Sequence, residues 1–503
     1  MKATASKLLS LLDGEYVRSI SRNGEPSWLE EMRTKAFSQY INLPSEVSPL
    51  YSKYSDVKLL KPESIVLVND SRASKFPDAD LKARLEELEK ETGALQIGQS
   101  PSRVFVDSKA AKQGIIVSDI RDAFVKHEDI VKKLLAANPL NYGEDKFLAL
   151  EASAFQSGIF VYIPRNVVLE DPIRIVSSLA DDGTSMVNRN IVAAEEGSKA
   201  TVVQELYAPQ IGAHEEGSAE LKEGNGRANQ KEGGVQEDQD QLQQAYFELV
   251  ETHVDPNAHL ELVTLQAMGG DNTICISNRK AYVENDAKMS WYIGMFGSQL
   301  SRYKTDSIMK GQGSSAEDVE IIFGVGNQSF DITSNLVHFG RNSRGRVLVK
   351  SVLKDTSKSL FKGMIKIGKE AKATESYLAG HAILLDKGAK SDSIPGLEIE
   401  TNEVKATHSA SVAQIDEGQI FYLMTRGLTR DGAKREIVNG FLEPLSRKMG
   451  PTIRAWVNYL IENKWLGKPL MLRSDEAMEQ ILEVEKSRYR ETQDLFEKHY
   501  KYR

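Results

Sequence analysis

The chain of 503 residues has one cysteine, Cys275. That excludes an intrachain disulfide and a Cys-x-x-Cys metal knuckle, and makes a reducing, cytoplasmic setting the natural expectation. No apolar run approaches the roughly 18–20 residues that span a bilayer, so no membrane segment is expected. The first residues, Met1 to Tyr16, carry a short apolar stretch but soon turn acidic and lack a small-residue cleavage pattern. They read as a helix of the mature protein rather than a signal peptide. A basic excess is missing too. Lys plus Arg is 64 against 72 for Asp plus Glu, a formal charge of -8, which argues against a general nucleic-acid binder.

Familiar chemical motifs are absent as well. The Gly-Lys pairs are Gly368-Lys369-Glu370 and Gly467-Lys468-Pro469. Neither continues into Ser or Thr, so no P-loop is present, and any ATP-driven step needs another subunit. No G-x-G-x-x-G, G-x-S-x-G or H-E-x-x-H occurs. What remains is an ordinary globular composition, 40% hydrophobic and 27% charged, in a chain long enough to bury a large core. The length predicts two to four domains or one elongated architecture.

Residues 1–150 read as a mostly helical region. Ser27-Trp28-Leu29-Glu30 has the form of a capping box, followed by Trp28, Met32, Ala36 and Phe37 on one face until Pro44. Residues 79–92 predict a charged helix with Leu81, Leu85 and Leu88, and residues 117–136 another with Ile120, Phe124, Ile130, Val131, Leu134 and Leu135. Near residue 158 the texture changes. Gly158 to Pro164 is β-branched and aromatic, and short apolar runs between Gly, Asn, Asp and Ser turns continue to about 415. Residues 151–415 therefore read as all-β.

That stretch repeats. A turn of Gly, Asn or Asp, a small residue, then usually Lys precedes each strand, with last positions at 199, 259, 288, 316, 345, 358, 372, 390 and 405. From 259 to 345 they are 29, 28 and 29 apart; from 345 to 405 they are 13, 14, 18 and 15 apart. The second set is about half the first, as for a two-strand coil whose two turns both become visible. The interval from 199 to 259 is 60 and contains a polar segment, 212–244, too poor in apolar residues to fold alone. Removing its 33 residues leaves 27 and restores the period, so it reads as an insertion between coils; a linker between two domains is the alternative. A helix-free repeat of this period points to a β-solenoid or parallel β-helix. A propeller or a pair of sandwiches is the competing architecture. The open ends of a solenoid need covering, and the helical segments on either side are the expected covers. After 415, residues 416–503 turn helical again: Thr429 caps a helix to about Met449, another spans 451–464, and a charged tail fills 474–500.

The scattered histidines offer little by spacing. His253 and His259 could form a metal pair or be ordinary turn histidines. Cys275, between Ile274 and Ile276, reads as a buried thiol.

The stretch 334–443 resembles the SufB/SufD family of iron–sulfur cluster assembly proteins. The resemblance rests on Ser393-Ile-Pro-Gly-Leu-Glu-Ile399, Glu403-Val-Lys-Ala-Thr-His-Ser409, Gln419-Ile-Phe-Tyr-Leu-Met-Thr-Arg-Gly427 and Ile437-Val-Asn-Gly-Phe441. Weaker matches upstream are Lys146 to Leu150, Gly158 to Pro164 and Asn190 to Gly197. The resemblance implies a right-handed parallel β-helix between helical regions, pairing of two members through their β-helices, and docking of the ABC-type ATPase SufC on the C-terminal helices. It further implies that ATP binding strains the pair and exposes a site where a nascent cluster forms. SufB-type members carry a cysteine at a position that falls near Ala389 here, and Glu where Ser409 stands; SufD-type members lack that cysteine and keep a histidine at His408. The chain is thus identified with the SufD branch.

One cysteine cannot supply the several thiolate or imidazole ligands of a cluster scaffold, but His408 can supply one imidazole across an interface. The alternative for His408 is a hydrogen bond across the seam. Phe421, Tyr422, Arg426 and Gly427, with Ile437 and Phe441 on the following helix, are the expected ATPase-docking residues; capping of the last coil is their alternative role. Expected partners are a SufB-like protein, or a second copy, and SufC. No stably bound cofactor is expected, only a transient Fe–S cluster shared with the partner; the family is also linked to reduced flavin, which no residue here places. A homodimeric scaffold using His408 and Cys275 is a second reading, and a polysaccharide-acting β-helix enzyme a third. No catalytic residue is assigned.

Overall fold

A computed structural model describes residues 9, 12–21, 25–48, 51, 59–67, 79–180, 183–208, 243–269, 272–472 and 478. The charged tail and Leu81 lie outside the described positions or side chains, as does nearly all of the inserted segment. The N-terminal elements are α1 (Gly14–Ser19), α2 (Ser27–Asn42), α3 (Ala79–Leu88), β1 (Gly93–Ile97), β2 (Arg103–Phe105), α4 (Ser108–Lys112), β3 (Ile116–Asp119), α5 (Ile120–Lys126), α6 (Glu128–Ala137) and α7 (Lys146–Ala154). Three sequence expectations shift here. Pro26, not Ser27, is the N-cap of α2, without a side-chain cap bond, because its fixed φ of -62° already ends the extended entry. The buried stripe of α2 is Leu29, Arg33, Ala36 and Tyr40, with Trp28, Met32 and Phe37 at its margin. The span 117–136 divides into a strand and two helices. Asp119 caps the first, accepting from the Arg121 amide at 3.0 Å, and His127 at φ -127° breaks the chain before the second.

The β region contains β4 (Ile159–Ile163), β5 (Ile173–Ser178), β6 (Met186–Ala194), β7 (Lys199–Tyr207), β8 (Gln244–Val254), β9 (His259–Gln266), β10 (Thr273–Val283) and β11 (Lys288–Met295). It continues with β12 (Leu300–Met309), β13 (Ser315–Gly324), β14 (Ser329–His338), β15 (Arg344–Leu353), β16 (Lys358–Ile367), β17 (Thr374–Leu384), β18 (Lys390–Ile399) and β19 (Val404–Gln414). Odd strands from β5 form one parallel sheet and even strands from β4 the other. This is a parallel β-solenoid of about 7 turns, not a propeller or sandwich pair.

Register explains the repeat. His259 pairs with Lys288, Lys288 with Ser315, and Ser315 with Arg344, steps of 29, 27 and 29. Lys199 pairs directly with His259 across the 60-residue interval, so the solenoid resumes in phase after the insertion. Gln244 already opens β8. The turns recur because one corner of each coil needs a left-handed residue. Gly197, Asn257, Asp286, Gly313, Asn342 and Ala373 all have positive φ, and each donates its amide to the carbonyl of the next coil's corner, as Asn257 does to Asn285 at 2.9 Å. Gly and Asn, with Asp, tolerate that region best. On this column the turns read at Ser314 and Ser343 begin one residue earlier, at Gly313 and Asn342.

Alternate residues fill the bore with Ile, Val, Leu, Met and Trp291. The N-terminal helices pack on the outside of the even sheet, against Val187, Ile191, Phe247, Leu249 and Ile276. After β19 come α8 (Glu417–Thr425), α9 (Arg430–Ser446) and α10 (Pro451–Trp465). Val438, Leu442, Ile453, Trp456 and Leu460 lie on the outside of the odd sheet, against Val263, Tyr292, Val319 and Ile321. The helices therefore cover the flanks, not both ends as the sequence reading expected. The first end is closed by short antiparallel strands, β2 on β1 and β3 on β4. Among the described residues nothing covers the other end: β18 and β19 are the terminal strands of their sheets.

Candidate functional site

The last coil differs from those before it. β18 pairs with β16 and β19 with β17, leaving the opposite edges of two long strands without a sheet partner among the described residues. Long unpaired edges invite another strand. The inward positions of this coil continue the core columns but meet no further coil. Leu397 and Ile399 follow Ile365 and Ile367 in register, yet are 39% and 41% exposed; Val412 is 45% exposed. The bore thus opens as an apolar mouth.

His408 stands on that mouth. It follows Leu378, and below it Val347 and Asp318, in one inward column. It is exposed because no coil covers it. Beside it on the outer face, Ser409 meets the Tyr377 hydroxyl at 2.9 Å and Ser411 meets His381 Nδ1 at 2.7 Å. Burial and the nearby Lys350 ammonium push the His381 imidazole below its ordinary range. Ala389 is buried in the turn that opens β18.

The second part of the site is α8 and the turn after it. Asp416 caps α8, accepting from the amides of Gly418 at 2.7 Å and Gln419 at 3.2 Å. Ile420 is its one buried residue, whereas Phe421 and Tyr422 are 68% and 56% exposed. Met424 and Leu428 are exposed as well, so this helix turn carries a contiguous apolar surface, larger than single scattered exposed residues make. Arg426 bonds the Tyr422 hydroxyl at 2.8 Å, its guanidinium 5.0 Å from that ring. Gly427 takes φ +94° and turns the chain into α9, a left-handed residue after the helix end. Thr429 then caps α9 through the Gly432 amide at 3.0 Å, and Arg430 ties the two helices by bonding Glu417 at 2.6 Å. A shallow groove lined by Asp416, Gln419, Tyr422, Leu423 and Ile437 runs between them. Phe441 is placed differently: it faces the solenoid, with Lys350 Nζ 4.6 Å from its ring and bonded to its carbonyl.

Other candidates are kept apart. His253 is buried on the even sheet, 3.1 Å from Asn138 and stacked on Tyr282, and burial pushes its imidazole down to about 4. His259 is exposed where β9 begins in the other sheet. Cys275 lies in the bore 3.4 Å from the Tyr303 hydroxyl, and burial pushes its thiol up to about 12. Among the described residues no three His, Cys, Asp or Glu side chains are grouped to hold a metal. The exposed Leu397, Ile399 and Val412 were not singled out from the sequence. Their signal was that the inward alternation persists through the last strands with no further strand to bury it.

Two family models match the chain: the SufBD protein N-terminal region over residues 7–175, and the SUF system FeS cluster assembly SufBD core domain over 223–441. The chain belongs to the SufBD family. The SufD iron–sulfur cluster assembly protein of Bacillus subtilis is 27% identical over 444 residues, covering 87% of this chain and 94% of that protein. SufBD family proteins of Staphylococcus aureus and Staphylococcus haemolyticus are 25% identical over 462 residues, covering 90% of this chain and 92% of theirs. This SufBD chain is SufD-like, an iron–sulfur cluster assembly protein. Among its described residues no helix is long and apolar enough to cross a membrane.

Proposed function

We propose that this chain is a non-ATPase subunit of a cytoplasmic Suf complex that pairs, through the mouth and edges of its last coil, with a SufB-like partner. The observation that carries this reading is the uncovered end: two edge strands of 10 and 11 residues around an apolar opening. A second solenoid end offers what such an edge lacks, parallel or antiparallel strand pairing plus apolar cover for Leu397, Ile399 and Val412. His408 then lies at the seam, where its imidazole is one ligand available to a nascent cluster while the partner supplies the thiolates. The cluster is cargo shared across the seam rather than a resident group.

The exposed Phe421-Tyr422 pair, braced by Arg426 and turned by Gly427, is the proposed dock for an ABC-type ATPase, with Ile437 lining the groove. Phe441 and Lys350 hold α9 to β15, so a pull on the helices reaches the odd sheet directly. A scaffold using Cys275 as co-ligand fits poorly. Its thiol is fully buried, and its strand is four ladder steps from β18, about 19 Å at roughly 4.8 Å per step.

Co-expression with a SufB-like protein and SufC tests the two surfaces separately. L397D/I399D is expected to lose the SufB-like partner and keep the ATPase; F421A/Y422A is expected to do the reverse. A chain that stays monomeric with both partners present, or that self-pairs and retains cluster without them, overturns the reading. In the assembled complex, H408A is expected to lower cluster yield on anaerobic addition of iron and sulfide. Unchanged yield makes His408 a seam residue alone.

A further inference from the structure

Inside the bore, three ladder steps below His408, β13 turns two carboxyl groups inward where its neighbours place apolar side chains. Asp318 lies between Trp291 and Val347, and Glu320 between Ile293 and Val349. Both are essentially buried, at 1% and 0% exposure. Glu320 accepts a hydrogen bond from the Ser334 hydroxyl at 2.6 Å. Glu320 Oε2 and Asp318 Oδ1 have no hydrogen-bond partner outside the pair, and Thr305 Oγ1, beside Ser334 on the same inward face, has none either. Arg279 of β10 faces the pair, and it is already bound to Glu248 at 2.9 Å.

Two charged carboxylates side by side in this setting face both a large desolvation penalty and mutual repulsion. A proton between them ends the repulsion and leaves one charge rather than two to desolvate: one group becomes a donor, and each carboxyl satisfies the other. We propose that Asp318 and Glu320 are a proton-sharing carboxyl pair, a latch in the solenoid bore that stabilises this coil while protonated and destabilises it when the proton leaves. The latch is independent of any partner.

Burial raises both groups, Asp318 well above its ordinary value of 3.8 and Glu320 from 4.5 to about 7; the adjoining carboxyl raises Asp318 further, whereas the Ser334 bond and Arg279 draw Glu320 back down. The unfolded chain therefore releases these protons first. The pair's stabilisation is present in full below about 4 and declines as pH rises to about 7 and beyond. Glu151, buried on α7, is also raised by burial, so a variant must isolate the pair.

The test is infrared spectroscopy of the full chain at pH 6 in deuterated buffer, with thermal melts from pH 5 to 8. The wild type is expected to show a protonated-carboxyl stretch that E320Q diminishes and an E151Q control leaves in part. The melting temperature is expected to fall more steeply with rising pH in the wild type than in E320Q, whose amide mimics the protonated acid. If E320Q does not fold, S334A serves instead: loss of the hydroxyl that holds Glu320 down is expected to move the band's disappearance to higher pH. The same band in wild type and E320Q, or, where S334A is used, an unmoved titration, overturns the latch.

Discussion

At the residue scale, conformation and burial decide more than side-chain chemistry. Ala373 occupies the left-handed corner that Gly, Asn or Asp fills in the preceding coils, with φ 57°. A side chain in that region is strained by roughly 1–2 kcal/mol, part of which glycine returns as lost chain entropy. A373G is expected to raise stability by up to about 1 kcal/mol, read as a higher midpoint in denaturant melts with an unchanged slope; an equal or lower midpoint shows that the corner tolerates Ala without strain. The recurrence of these corner residues was legible in the sequence because the backbone requirement restricts the alphabet. The role of His338 was not. It is buried and holds Ser343 at 2.8 Å and Ser376 at 3.0 Å, a bore hydrogen-bond hub that spacing alone cannot separate from a ligand. Asp318 and Glu320 were likewise overlooked, although they share the inward parity of Ala316 and Ile322. Reading them needed the register that assigns parity.

At the element scale, strands and their order followed from the repeat, but the placement of helices did not. Helix amphipathicity shows that a face is buried, not what buries it. The expected end covers instead lie on the flanks, because the outer faces of both sheets are themselves apolar and offer more area than a solenoid end. The insertion between β7 and β8 is the clearest element-scale case. Lys199 pairs with His259 as later corners pair with theirs, so the coil closes without help from the inserted residues. The corresponding link from β9 to β10 runs from Gln266 to Thr273. Replacing residues 209–242 with a six-residue polar linker is expected to leave the fold intact and the melting midpoint within a few degrees, since loop length enters closure entropy only logarithmically. A large loss of stability in circular dichroism melts shows that the insertion packs on the solenoid.

At the scale of the whole molecule, the description is of a rod with one closed end, two flanks clad in helices and one open end. Family likeness was carried by the stretch around β18, β19 and α8, which is also where the open edge and the exposed aromatic turn meet. The reading of the molecule therefore rests on the open end being an interface. Thiol labelling of S411C tests it most directly, because the native Cys275 is buried, with its thiol pushed up to about 12, and stays silent. The account predicts rapid maleimide labelling of S411C in the isolated chain and strong protection once the SufB-like partner and ATPase are assembled. Equal labelling in both states, with the complex intact, would contradict it.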